Sequence, residues 1–206
     1  MRSEITLVAV SKKFSAAAIR SAYNAGLRNF GENYVQEFQE KRQELAGLPA
    51  ARFHLIGHLQ SNKARIACEL FDTVQTVDSP KLLQRLDASA KELGRTMDVL
   101  LEVKLSDEES KTGASATEIP RLLDAAAGRQ SLSVVGLMTI PPWSEDAEKS
   151  RPYFRQLTEL ARRYGLRSLS MGMSNDFEVA IEEGATIIRV GTALFGRRPA
   201  IKKKSQ

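Results

Sequence analysis

The sequence predicts an α/β fold, a (β/α)8 TIM barrel formed as one domain over residues 1–206. Three observations carry this. Eight short runs rich in β-branched and apolar residues recur along the chain, separated by longer amphipathic stretches. Several of these runs are continuously apolar rather than alternating, as parallel strands covered on both faces are. No G-x-G-x-x-G follows any of them, which argues against the competing architecture, a doubly wound open sheet.

The runs, in order, are ITLVAV (5–10), RNFGE (28–32), RFHLIG (52–57), TVQTV (73–77), MDVLLEVKL (97–105), LSVVGLMTI (132–140), SLSMG (168–172) and TIIRVG (186–191). Between them, helical patterns cover residues 16–25, 33–45, 80–93 and 145–164. Asp78-Ser79-Pro80 supplies a cap followed by proline at a first helical position. Gly26, Gly94, Gly165 and Gly184 stand where helices should stop. With 206 residues the barrel is compact, with no room for a second domain.

Composition sets the protein class. Hydrophobic residues at 42% and charged residues at 27% are ordinary for a globular protein. No apolar run approaches the length of a membrane span, and ITLVAV is too short for the core of a signal peptide. The single cysteine, Cys68, rules out an internal disulfide framework; with the other features it predicts a cytoplasmic protein. Cys68 sits in an apolar helical face and reads as core. His54 and His58 straddle a strand end and have no third ligand nearby, so no metal site is expected. The net charge of +5 is concentrated partly in Arg197, Arg198 and Lys202 to Lys204. Residues 198–206 are expected to be a disordered basic tail without the interleaved aromatics that stack on bases. Nucleic-acid binding is therefore the minority reading.

The functional signal lies at the ends of the last two strands. In barrel enzymes the site sits at the C-terminal ends of the strands, and phosphate is often held by the loops after strands seven and eight. Here Gly172-Met173-Ser174 follows strand seven and Gly191-Thr192 follows strand eight. Ser174, Gly191 and Thr192 bring a hydroxyl and backbone N–H donors, and glycine allows the ligand close to the chain. Arg189 interrupts an apolar strand two residues before Gly191, and a buried arginine needs a partner. That partner is a ligand or a carboxylate elsewhere in the barrel mouth. At the end of strand one, alternation places Lys12 with Thr6, Val8 and Val10, and Lys13 with Ile5, Leu7 and Ala9. One of these lysines points into the mouth, where lost hydration lowers its pKa and makes its amine nucleophilic. Lysine, anion grip and arginine together predict a Schiff base to a phosphorylated aldehyde. They fit pyridoxal phosphate and a sugar-phosphate aldolase equally well.

Six blocks, AVSK, NFGENYVQE, FHLIGHLQSNK, SDEESKTG, GLMTIPP and LSMGMSNDFEVAIEEGATIIRVGTALFGRR, stand in order from Ala9 to Arg198. Together they resemble the pyridoxal phosphate homeostasis protein family, single-domain barrels similar to the N-terminal domain of alanine racemase. The resemblance implies binding of pyridoxal 5′-phosphate (PLP) as an internal aldimine on Lys12. Ser174, Gly191 and Thr192 would grip the phosphate, and Arg189 would face the pyridine nitrogen. An arginine there keeps the nitrogen unprotonated and weakens the cofactor as an electron sink. Asn33, His54 and Met173 are further candidate contacts to the cofactor. The implied role is buffering or delivery of PLP, with amino acids or PLP-dependent apo-enzymes as recipients, and without robust catalysis. The alternative is an amino-acid racemase or lyase of the alanine racemase fold type. Monomer or weak dimer is the expected state.

The chain departs from the family in three ways. The helix that usually precedes the first strand is missing, Lys13 replaces a frequent threonine, and Lys104 replaces a frequent asparagine. The SDEESKTG segment after strand five reads as a cover or recognition patch bordering the mouth, and Trp143 as a rim residue.

Overall fold

A computed structural model describes residues 4–106, 108 and 111–196. The expected basic tail and Arg197 lie outside the described residues. Strands β1 (Thr6–Val10), β2 (Asn29–Glu32), β3 (Arg52–Leu55), β4 (Thr73–Val77) and β5 (Met97–Lys104) follow one another around a ring. A two-residue strand, β6 (Ala114–Ser115), pairs beside the end of β5. The ring continues with β7 (Leu132–Met138), β8 (Ser168–Ser170) and β9 (Ile187–Val190). It closes where β1 pairs in parallel with β9, setting Val8 against Arg189, while β1's other edge pairs with β2. The predicted eight-stranded parallel barrel is the observed fold.

Each predicted strand coincides with an observed one to within two residues at either end. The overruns have a physical cause. Ile56, Thr139 and Met171 lie just past their strands, yet their N–H groups still donate to Glu32, Ser170 and Ile187 carbonyls at 2.9, 3.2 and 3.1 Å. These residues are also buried, so the strand-like pattern continues past the ladder.

Helices α1 (Ala16–Asn24), α2 (Val35–Arg42), α4 (Pro80–Glu92) and α6 (Arg151–Arg163) occupy the predicted helical stretches. Ser79 caps α4 by accepting from the Leu82 N–H, with Pro80 in the first turn as expected. Gly94 and Gly165 leave α4 and α6 with φ of 63° and 67°, a conformation that side-chain-bearing residues avoid. Helices α3 (Ala64–Leu70), α5 (Ile119–Ala126), α7 (Phe177–Glu182) and α8 (Thr192–Phe195) are shorter and fill the remaining connections.

Two kinds of packing hold the barrel. Between strands and helices lies an apolar layer. In it the Phe38 ring of α2 packs at a tilt against Phe53 and Phe71, at 4.7 and 4.8 Å between ring centroids. Leu82, Leu83 and Leu86 of α4 and Phe154 and Leu157 of α6 are fully buried there. Each such side chain stabilises the fold by about 1.5–3 kcal/mol. Inside the barrel, small residues make room for large ones. A Cβ on Gly31 would lie 2.9 Å from Val8 and 3.0 Å from Ile56. The interior is otherwise markedly polar: His54, Gln75, Ser170 and Arg189 are all buried in it.

Candidate functional site

A cavity of about 280 Å³ opens at the C-terminal ends of the strands. Lys12, Asn33, Met173, Ser174, Arg189, Gly191 and Thr192 all line it, seven of the eight residues singled out in the sequence.

Lys12 reaches the cavity because strand alternation puts it on the face of Val8 and Val10. Its neighbours turn the other way. Ser11 points behind the strand, where its hydroxyl donates to Glu32 Oε1 at 2.8 Å. Lys41 of α2 donates to both oxygens of Glu32, at 3.0 and 3.2 Å, and to the Ser11 carbonyl at 3.2 Å. Glu37 joins this cluster through Lys41 at 2.6 Å and accepts the Lys13 N–H. Lys13 itself is exposed and leaves the strand with φ 66°. A buried ion cluster therefore clamps the backbone on both sides of Lys12. Burial pushes the Glu32 carboxyl above the usual carboxylate range, opposed by Lys41 and the Ser11 hydrogen bond.

Opposite this lysine, two loops meet. The Ser174 hydroxyl oxygen accepts from the N–H groups of Gly191 and Ala193 at 3.3 and 3.4 Å. The turn carrying Ser174 is braced from below by buried Asp176, whose carboxylate accepts from the Met173 N–H at 2.7 Å and the Ser150 hydroxyl at 2.8 Å. Gly191 lies so near Val10 that an added Cβ would sit 3.3 Å from it, so the absence of a side chain lets the end of β9 pack closely on the end of β1. The result is a small concave surface of amide and hydroxyl donors.

Arg189 is 3% exposed. Its guanidinium donates to Ser170 Oγ at 2.6 Å and to the Thr139 carbonyl at 2.9 Å. Among the described residues it makes no ion pair, so the carboxylate expected as one possible partner is replaced by a hydroxyl and a carbonyl. Burial pushes its pKa down to about 10, leaving it cationic at neutral pH.

His54, a further candidate contact to the cofactor, is the exception among the eight. It is buried inside the barrel and does not line the cavity. The reason is that the inward-facing pattern of its strand runs on to Ile56, which takes the rim position instead. His54 bonds to Asn29 Oδ1 at 3.1 Å and to Gln75 at 3.2 Å. Burial lowers its pKa to about 4, so it is neutral.

Nothing in the sequence singles out Gln75, Ser170, Thr139, Asp176 or Glu102, which read locally as ordinary strand and cap residues. Glu102 is buried at the end of β5; its Oε1 accepts from Thr112 at 2.9 Å and its Oε2 is without a partner among the described residues. A second hollow of about 120 Å³ runs past it, between Lys104 and Lys111, and shares Ile140 with the main cavity. Of the predicted cover over residues 106–113, positions 107, 109 and 110 lie outside the described residues. Trp143 is 73% exposed on the cavity rim, where the sequence places it. Cys68 is buried, its thiol pushed up to about 11 by desolvation, and belongs to the core as expected.

Fold and mouth define a (β/α)8 barrel with a lysine-bearing ligand cavity at the C-terminal ends of its strands. Residues 1–199 match the family model for the alanine racemase N-terminal domain. The chain is 45% identical over 196 residues to the pyridoxal phosphate homeostasis protein of Pseudomonas aeruginosa, covering 94% of this chain and 85% of that one. It is 43% identical over 198 residues to the protein of the same name from Aquifex aeolicus, covering 93% and 86%. Among solved structures it is similar to PipY of Synechococcus elongatus, at 46% identity. The TM-score is 0.87 without PLP (93% of each chain covered) and 0.86 with PLP bound (93% and 92%). The chain belongs to the pyridoxal phosphate homeostasis protein family.

Proposed function

We propose that this protein binds pyridoxal 5′-phosphate in the barrel mouth as a Schiff base with Lys12, and buffers or delivers it within the cytoplasm. The observation that carries the reading is the convergence of Lys12, Arg189 and the Ser174–Gly191–Thr192 surface on one cavity of about 280 Å³. That volume is at the small end of the range for small-molecule sites and suits a single ring with one phosphate. The chemistry of the lining fits the group. Amide and hydroxyl donors suit a phosphate, Lys12 carries the amine an aldehyde needs, and the Asn33 Oδ1 is a buried acceptor without a partner among the described residues. The PLP-bound structure of PipY and the names of the homeostasis relatives support the assignment.

When bound, the cofactor supplies an electrophilic carbon that primary amines attack, and an electron-withdrawing ring. The protein's own residues determine how far that reactivity goes. Ser174 and the amides of Gly191 and Thr192 hold the phosphate. Lys12 would hold the cofactor through its amine and would give it up to a competing primary amine. Arg189, cationic and donor-only, would disfavour a proton on a ring nitrogen placed against it and so would weaken a bound ring as an electron sink. Buffering and hand-over to amino acids or to apo-enzymes follow more readily from this arrangement than turnover.

A second reading, racemase or lyase chemistry, draws on the match to the racemase domain. It requires a second proton-transferring group across the cofactor.

The deciding experiment is the visible spectrum of the purified protein before and after borohydride, followed by peptide mapping. A reducible band with the adduct on Lys12, absent in Lys12→Ala, is expected. Failure to take up the cofactor, or an adduct elsewhere, overturns the assignment. Robust turnover of free amino acids by the pure protein would overturn the carrier role.

A further inference from the structure

Four hydrogen bonds, three of them buried and the last part-buried, cross the barrel interior beneath the cavity. They run from Arg189 Nη1 to Ser170 Oγ (2.6 Å), from Ser170 Oγ to Gln75 Oε1 (2.6 Å), between Gln75 Nε2 and His54 Nδ1 (3.2 Å), and between His54 Nε2 and Asn29 Oδ1 (3.1 Å). They join β9, β8, β4, β3 and β2, and one link spans 95 residues of sequence. None of this is required to close a barrel, whose interior is ordinarily filled by branched apolar side chains.

The direction of the chain is fixed by what each group can do. A guanidinium only donates, so Ser170 Oγ accepts from it. The hydroxyl's one proton then goes to Gln75 Oε1, the remaining acceptor within reach. The amide nitrogen of Gln75 is thereby turned to His54, whose Nδ1 must accept. The imidazole proton consequently sits on Nε2 and is given to Asn29 Oδ1. Each atom named in the row thus has a partner of the right kind, which a buried polar network needs to be stable. Arg52 and Asp72 are the nearest charges acting on His54, in opposite senses, and the ring stays neutral.

We propose that Ser170, Gln75 and His54 are positioning residues for Arg189: a one-way relay that fixes the guanidinium in place beneath the ligand without supplying a negative charge. Stabilising Arg189 with a carboxylate would neutralise the charge it presents to the ligand. A hydroxyl and a neutral amide–imidazole pair hold it without an ion pair, and the Asp176 and Glu102 carboxylates act on it less strongly than its burial does. The face so formed accepts a ring atom bearing a lone pair and rejects one bearing a proton or an N-alkyl group. This inference rests on the reading that Arg189 meets the cofactor's ring nitrogen, and it adds the residues that make that contact selective.

Two measurements test it. In the cofactor-free wild type, long-range ¹H–¹⁵N spectra resolve the tautomers of the two histidines. His54 is expected as the neutral Nε2–H form, and the Nδ1–H form or an imidazolium at pH 7 overturns the relay. In the loaded protein, Ser170→Ala and Gln75→Leu are compared with wild type for absorption maximum and cofactor affinity, with circular dichroism and melting to establish folding. Loss of one anchoring hydrogen bond to a charged group should weaken binding roughly tenfold to a hundredfold and displace the absorption maximum, because the electrostatics at the ring change. An unchanged spectrum and affinity in either folded variant overturns the positioning role. If wild type takes up no cofactor, the functional reading fails, while the tautomer result still decides the relay independently.

Discussion

The clamp behind Lys12 makes a quantitative prediction about stability and pH. Lys41→Met removes the buried cation and keeps most of the side-chain volume. The side chains of Glu32 and Lys41 are 0% and 11% exposed, so Glu32 loses two hydrogen bonds at 3.0 and 3.2 Å and has no water to replace them. Removing one member of a buried pair costs about 3–5 kcal/mol at neutral pH. For 206 residues, about 2.1 cal/mol/K of unfolding entropy per residue gives roughly 0.43 kcal/mol/K, so the melting temperature should fall by about 7–12 °C. The deficit should depend on pH with a definite sign. Burial already raises the Glu32 pKa in the folded state, and removal of Lys41 raises it further. The folded variant then binds a proton that the unfolded chain does not, so its stability recovers as pH falls through the folded pKa towards the ordinary value near 4.3. Urea titrations of wild type and variant at pH 8, 7, 6 and 5 should show the difference narrowing at the acid end. A difference that stays constant across that range, or one below about 1 kcal/mol at pH 8, would refute the view that Glu32 is a desolvated charge held by Lys41. Because Lys41 also binds the Ser11 carbonyl, the variant should take up cofactor less well even where it is fully folded.

Three further outcomes are expected. Ser174→Ala removes the hydroxyl that gathers the Gly191 and Ala193 amides; PLP binding should weaken about tenfold to a hundredfold, whereas pyridoxal without its phosphate should be much less affected in the same titration. Trp143, the chain's one tryptophan, lies on the cavity rim, so its emission should be quenched as the cofactor saturates the site and should recover on reduction of the PLP load by dialysis against an amine. Gly57→Ala places a Cβ 2.3 Å from the Asn33 carbonyl oxygen; the loop carrying Asn33 must move, costing about 1–3 kcal/mol in a urea melt and lowering cofactor affinity in parallel.

The barrel and the cavity were legible in the sequence to very different depths. Runs such as ITLVAV and TIIRVG announce strands covered on both faces, and the caps at Ser79 and Gly94 bound a helix unambiguously. Helices α3 and α5, of seven and eight residues, are too short to show a clear period between loops, and their existence comes from packing. The residues lining the cavity could be named because each stands at a strand end, where position along the chain already indicates position in the fold.

The relay beneath the cavity could not be found that way. In TVQTV Gln75 shares a face with Thr73, as on a strand with one wet face, yet Gln75 is fully buried. Its surroundings are polar because Ser170, far along the chain, and His54 on the adjacent strand face the same interior. A barrel has an inside as well as a face towards its helices, so period-two alternation cannot distinguish water from a sealed polar interior. What distinguishes them is whether every buried donor has an acceptor, and that is a property of pairs brought together by the fold. The same argument explains why His54 was singled out with the mouth residues: its place in the strand was readable, while the partners that hold it one layer deeper, Asn29 and Gln75, are set by the closure of the ring. The guanidinium of Arg189 belongs to a residue that lines the mouth, while the Ser170 hydroxyl that accepts from it, and Gln75 and His54 behind that hydroxyl, do not reach the mouth.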